Sequence, residues 1–207
     1  MVRRKFKLIK IFIILILLIT NFQSWAKADD IRNLEVEGIS LGQNALDYFS
    51  KNDIDQNKSY YPNDKEIWRY LIILKDKQYD SLQLHLQSKN NKYLVVGVAG
   101  LIYFYEEKDA YGSCIKKRSS IVNDIEQSLI NVKKSDEERD ILISDDTGKS
   151  YVEAFYFDFK EDFSEYVKVA CTYFSDEYRD KTNHPPSYLR VALTSTKLHN
   201  WLKEKAF

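Results

Sequence analysis

Tyr93-Leu94-Val95-Val96-Gly97-Val98-Ala99-Gly100-Leu101-Ile102-Tyr103-Phe104 decides how the rest of the chain must be arranged. Outside the N-terminal segment no other run is so apolar. Its odd and even positions are equally hydrophobic, so neither face of the strand it predicts can meet water, and it belongs mid-sheet with both faces covered. Beyond the short acidic loop Glu106-Glu107-Lys108-Asp109, the period changes. Cys114, Ile121, Ile125, Leu129 and Val132 recur at helical spacing, with Val122 beside them and Lys116, Lys117, Asn123, Asp124 and Gln127 on the opposite side. That pattern predicts an amphipathic helix laid on the sheet, with Ser113 as its N-cap and Cys114 facing the sheet.

On the N-terminal side, residues 68–74 and 79–87 read as strands. The second alternates cleanly, placing Leu82, Leu84 and Leu86 inward and Ser81, Gln83, His85 and Gln87 toward solvent. Lys89-Asn90-Asn91-Lys92 turns the chain into the central strand. Further back, Leu34-Glu35-Val36-Glu37 reads as a short strand, and Ser40 with Gln43 as a capping box opening a short helix through Leu46 and Phe49. On the C-terminal side, 133–140 is charged and exposed, 141–143 reads as a short strand and 144–150 as a turn. Three more strands are expected at 151–159, 166–174 and 188–194. A last helix follows, capped by Ser195, with Leu198, Trp201 and Leu202 on one face. The fold class is therefore α+β, a mostly antiparallel sheet with helices packed on one face, and a helix-plus-three-strand plan used twice. Whether the strands form one sheet or two stays open at this level.

The N-terminus reads as a targeting segment. Arg3, Arg4, Lys5, Lys7 and Lys10 precede the nine-residue apolar run 11–19, and Ala26-Lys27-Ala28 supplies small residues for cleavage after Ala28. Nine apolar residues are short for a membrane span, which needs about 20. Residues 1–28 are thus expected to be a signal peptide and 29–207 a single α+β domain, periplasmic or secreted by a bacterium. Those first 28 residues hold six of the 31 basic side chains and none of the 31 acidic ones, so the remaining 179 carry 25 against 31. A net charge of −6 argues against nucleic acid, whose binding rests on clustered Lys and Arg. In an exported chain, two cysteines point to one disulfide, Cys114 to Cys171.

Catalytic signatures are missing from the sequence, and no cofactor is expected. Asp146-Thr147-Gly148-Lys149-Ser150 imitates the end of a phosphate-binding loop, but Ile143 stands where the required first glycine should be, and the segment reads as a turn. His85, His184 and His199 have no local metal-ligand partners. Asp176-Glu177-Tyr178-Arg179-Asp180 could chelate a cation but reads as a solvated loop. Glu106, Glu107 and Asp109 offer paired carboxylates, and a cysteine at a helix N-terminus can be a nucleophile. All 15 tyrosines lie beyond residue 28, and Tyr156 is opposite in phase to Phe155, Phe157 and Phe159. Tyrosines at strand surfaces suit contact with a protein, peptide or glycan.

Asp30-Ile31-Arg32-Asn33-Leu34-Glu35-Val36-Glu37-Gly38-Ile39-Ser40-Leu41-Gly42, with Gly100-Leu101-Ile102-Tyr103-Phe104 and the Leu198 to Trp201 helix, resembles an uncharacterised family of small exported proteins from marine alphaproteobacteria. The resemblance implies an exported single domain and brings no activity with it. The expectation is a non-enzymatic periplasmic domain binding a protein, peptide or envelope component. The alternative is a small periplasmic hydrolase using carboxylates or Cys114.

Overall fold

The computed structural model describes residues 28–105 and 108–207. The expected signal segment lies outside this range except for Ala28, and so does the Glu106-Glu107 pair. In chain order the elements are α1 (Lys51–Asn57), β1 (Lys58–Tyr60), β2 (Ile67–Ile73), β3 (Ser81–Lys89), β4 (Lys92–Phe104), α2 (Ala110–Ser128), β5 (Lys133–Lys134), β6 (Glu138–Ile141), β7 (Tyr151–Asp158), β8 (Tyr166–Tyr173), α3 (Asp176–Thr182), β9 (Ser187–Thr194) and α4 (Thr196–Glu204). The strands form one antiparallel sheet of order β1-β2-β3-β4-β9-β8-β7-β5, with β6 also paired to β7. The meander β2-β3-β4 and the meander β7-β8-β9 meet where β4 pairs β9, from Gly97 opposite Thr194 to Phe104 opposite Ser187. The order 2-3-4-9-8-7, with a helix preceding each meander, is what an approximate two-fold axis through that central pair produces. Among the described residues, no helix is long and apolar enough to cross a membrane.

The larger core lies on one face of the sheet. Leu82, Leu84, Leu86, Val98, Val167, Val169, Leu189 and Leu193 pack there against Cys114, Ile121 and Val122 of α2. Ile31, Val36, Ile39, Ala45 and Ile54 from the N-terminal segment complete it. Fully burying a side chain of this size is worth roughly 1.5–3 kcal/mol, so this layer dominates the stability. The Cys114 and Cys171 sulfurs are at disulfide distance, with Cα atoms 5.9 Å apart, tying the first turns of α2 to β8. Arg118 shares the apolar stripe of α2 and is 3% exposed. Its guanidinium is held by Glu137 and lies over the Phe155 ring.

Several local expectations are corrected. α2 begins at Ala110 because the Asp109 carboxylate accepts from the Gly112 N–H at 2.9 Å; Ser113 lies inside the first turn and is not the cap. Residues 34–37 form no strand. Glu37 and Gly38 both take positive φ, and Val36 and Ile39 close a tight turn instead. Gln43 does reach back to the Ser40 N–H at 2.9 Å, yet Gly42 at φ +83° prevents a helix from starting there. Helical structure begins later, as a short 3-10 turn at Ala45–Asp47 capped by Asn44 and as α1 capped by Ser50. Residues 133–134 and 138–141 are edge strands on β7, and Ile143 is fully exposed. The segment taken for a solvated loop is α3, with Ser175 accepting from the Tyr178 N–H and Asn183 in the left-handed conformation that ends it.

The opposite face of the sheet carries a second, smaller core. Leu198 and Trp201 of α4 pack with Tyr61, Ile67, Val96 and Ala206. Ser195 caps this helix as expected, and its hydroxyl also donates to the Val96 carbonyl at 2.5 Å, pinning the helix start to β4. Gly97 allows the close approach, for a Cβ there would run into Leu198. β3 therefore does not turn a solvated face to water: Ser81 and His85 are buried. α4 covers only the middle of this face and leaves a hollow on either side.

Candidate functional site

The hollow over β2, β3, β4 and β9 has a volume of about 630 Å³, the size of a small-molecule site. Tyr61, Arg69, Leu71, Gln83, His85, Leu101, Tyr103, His184, Tyr188, Arg190 and Phe207 line it. Strand register explains how they meet. Arg69 faces His85 across β2 and β3, and His85 faces Gly97. Arg190 of β9 lies opposite Leu101, and Gln83 of β3 lies opposite Ala99. The small Ala99 separates the two, so Arg190 extends over β4 and donates from Nη1 to the Gln83 Oε1 at 2.5 Å.

The charge in this hollow is one-sided. Arg118, Arg32, Arg139 and Arg179 pair with carboxylates, whereas Arg69 and Arg190, the remaining described arginines, have no described ion-pair partner. Both line the same hollow, which has no carboxylate in its wall among the described residues. The Arg69 Nε is buried without a hydrogen-bond partner, and its guanidinium sits over the Tyr61 ring at 4.7 Å. The Tyr61 hydroxyl and His85 Nε2 share a hydrogen bond of 2.8 Å. Burial first, and then the charges of Arg190 and Arg69, push the His85 imidazole down to about 3, so it is neutral. Burial raises Tyr61 and Tyr103, with the nearby arginines opposing it in part. Below α4 a chamber of about 160 Å³ shares Tyr61, His85 and Arg190 with the hollow and adds Tyr166 and Lys168. Burial, and then Arg190, lower the Lys168 ammonium.

On the other side of α4, about 550 Å³ is bounded by Tyr156, Asp158, Phe163, Tyr166 and His199, with Lys133 and Glu138 at β5 and β6. Burial raises the Asp158 carboxyl above its ordinary range.

The residues singled out from sequence are scattered over the molecule. Cys114 is wholly buried and paired with Cys171, so it offers no thiolate. Asp109 is a helix cap. His85 is buried in the first hollow rather than exposed, His184 stacks on Phe174 at 4.6 Å, and His199 lies edge-on to Tyr166. Asp176 pairs with Arg179 and Glu177 with Lys149. Among the described residues no group of three His, Cys, Asp or Glu is placed to hold a metal. The segment imitating a phosphate loop is the β6–β7 connection. There burial would raise the Asp145 carboxyl, but hydrogen bonds from Ser150 and Thr147 outweigh burial and hold it below the usual range. Of the 15 tyrosines only Tyr48, Tyr60 and Tyr105 are exposed, while Tyr103, Tyr151, Tyr156, Tyr166, Tyr173 and Tyr188 fill half-buried strand positions.

Arg69 and Arg190 carry no role in the sequence pattern, and Gln83 is expected there only as a solvent-facing strand residue. A signal existed: each arginine is the only charged residue in its otherwise apolar strand, Ile67–Ile73 and Ser187–Thr194. Comparison with known protein families, curated proteins and solved structures finds no match to this chain.

Proposed function

We propose that this chain is an exported, non-enzymatic binding domain, and that the hollow over β2, β3, β4 and β9 receives its ligand or part of a partner. The observation that carries the proposal is the pair of arginines without carboxylates, Arg69 and Arg190, in an aromatic-walled recess. A guanidinium brought out of water needs an opposite charge or full hydrogen bonding, and here neither is complete. Tyr103 and Tyr188 add flat apolar area with polar tips, the composition favoured where a partner docks. A periplasmic location fits the basic and apolar N-terminal segment, the cysteine pair and the resemblance to small exported proteins.

Native mass spectrometry of protein purified gently from its own host tests this. A mass carried by the wild type and lost from Arg69→Glu/Tyr103→Ala is the expected result. The same cargo on both proteins, or none on either, would contradict it.

One observation favours a second reading, a hydrolase using carboxylates. Asp158 sits in the other hollow with Tyr156 and His199, and burial raises its carboxyl above the ordinary value, the direction a general acid needs. Turnover of an ester, peptide or glycan substrate that disappears in Asp158→Asn would favour that reading over binding.

A further inference from the structure

We propose that the ligand of the first hollow is an organic anion, a carboxylate or phosphate monoester on an apolar tail or ring, with Arg69 and Arg190 as its head-group partners. This rests on the reading of the hollow as a binding site. The Arg69 and Arg190 guanidinium groups line the same hollow and act on the same buried imidazole, so their like charges repel, and an anion bound by both removes that repulsion. Gln83 occupies only one of the five donors of Arg190, and the buried Nε–H of Arg69 has no acceptor. The planar forks left over match the two oxygens of a carboxylate or phosphate. A cation finds no carboxylate in the wall among the described residues. Leu71, Leu101 and Tyr188 flank the arginines, so a bare inorganic ion would leave most of the hollow unused. Two arginines in one recess are also not the extended basic stripe that tracks a nucleic-acid backbone.

The experiment is calorimetric titration of the full mature protein with octanoate, octyl phosphate, octyl glucoside, octyltrimethylammonium and inorganic phosphate. One or both octyl anions should bind, the tighter naming the head group, and binding should weaken with salt. Arg69→Gln and Arg190→Gln, each with an unchanged circular dichroism spectrum, should weaken that binding about tenfold or more, as expected for a lost charge-assisted hydrogen bond. Arg190→Glu should shift the preference toward octyltrimethylammonium. Octyl glucoside binding as tightly as the anions, and indifferent to the arginine variants, would overturn the anionic class while leaving a binding hollow in place. Inorganic phosphate binding as tightly as octyl phosphate would overturn the apolar tail. No binding by any probe would overturn both this inference and the function on which it rests.

Discussion

His85 sits neutral beneath two arginines because burial outweighs anything that would favour its charge. The sign of the resulting pH dependence follows. Its folded pKa of about 3 lies below the 6.5 of an unfolded histidine, so the unfolded chain takes up the proton first as pH falls. The contribution of this residue is fully present above pH 6.5 and declines from there toward 3, by at most about 1.4 kcal/mol per pH unit. Denaturant titrations at pH 7 and pH 5 should show a loss in the wild type that is smaller in His85→Gln. Equal losses would mean His85 is not buried neutral. Arg118 gives a second prediction at this scale. Its Nε and Nη1 are buried without hydrogen-bond partners, while Glu137 and the more distant Glu153 balance its charge. Arg118→Met should leave stability within about 1 kcal/mol or raise it, whereas removing both glutamates should cost about 3 kcal/mol or more. Melting curves distinguish the two. Neither residue was legible in sequence. Period two put His85 on a solvated face because it cannot show that α4 returns over β3, and helical spacing counted the hydrophobic members of the α2 stripe while passing over the arginine among them.

At the scale of elements, sequence pattern succeeded where one periodicity ran long and failed where a single turn residue decided. The central strand 93–104, both outer meanders and the α4 cap at Ser195 are where the pattern put them. The N-terminal segment is not, because positive φ at Glu37, Gly38 and Gly42 outweighs the alternation and the capping signal around them. α3 was missed although Ser175 followed by Asp176 and Glu177 is a readable helix start; seven residues carry too little periodicity to stand out. Two predictions belong here. Reducing the Cys114–Cys171 pair, which closes a loop of 57 residues, should lower stability by about 4 kcal/mol in denaturant titrations, and Cys114→Ala/Cys171→Ala should reproduce it. An unchanged midpoint would mean the bridge is absent from the folded protein. Gly97→Ala should cost about 1–3 kcal/mol, the range for overpacking a tight contact, because the added methyl meets Leu198. Trp201 fluorescence should report the displacement of α4; a wild-type spectrum and midpoint would contradict this seating of the helix.

The molecule as a whole is two similar meanders joined at β4 and β9, with the helical layer that buries most apolar surface on one face. α4 has no counterpart in the first half, and by lying across the other face it divides that face into two hollows of opposite character. One is framed by two arginines with no described carboxylate partner, the other holds Asp158, whose carboxyl burial raises above its ordinary range. The twofold plan and the class of fold were readable from the order of elements. The hollows were not, since each draws on strands distant in sequence, as when Arg190 reaches Gln83. Ala28 hydrogen-bonds through its N–H to the Ser128 carbonyl and through its carbonyl to the Ile130 N–H, so cleavage after Ala28, which removes that residue, would lose both bonds. The most direct test of anion binding in the arginine-lined hollow is to follow the backbone amide resonances of residues 29–207 while adding octyl phosphate. Shifts should concentrate at Arg69, Gln83, Tyr103 and Arg190. Shifts concentrated around Asp158 and His199, or on the outer surface of α2, would contradict it.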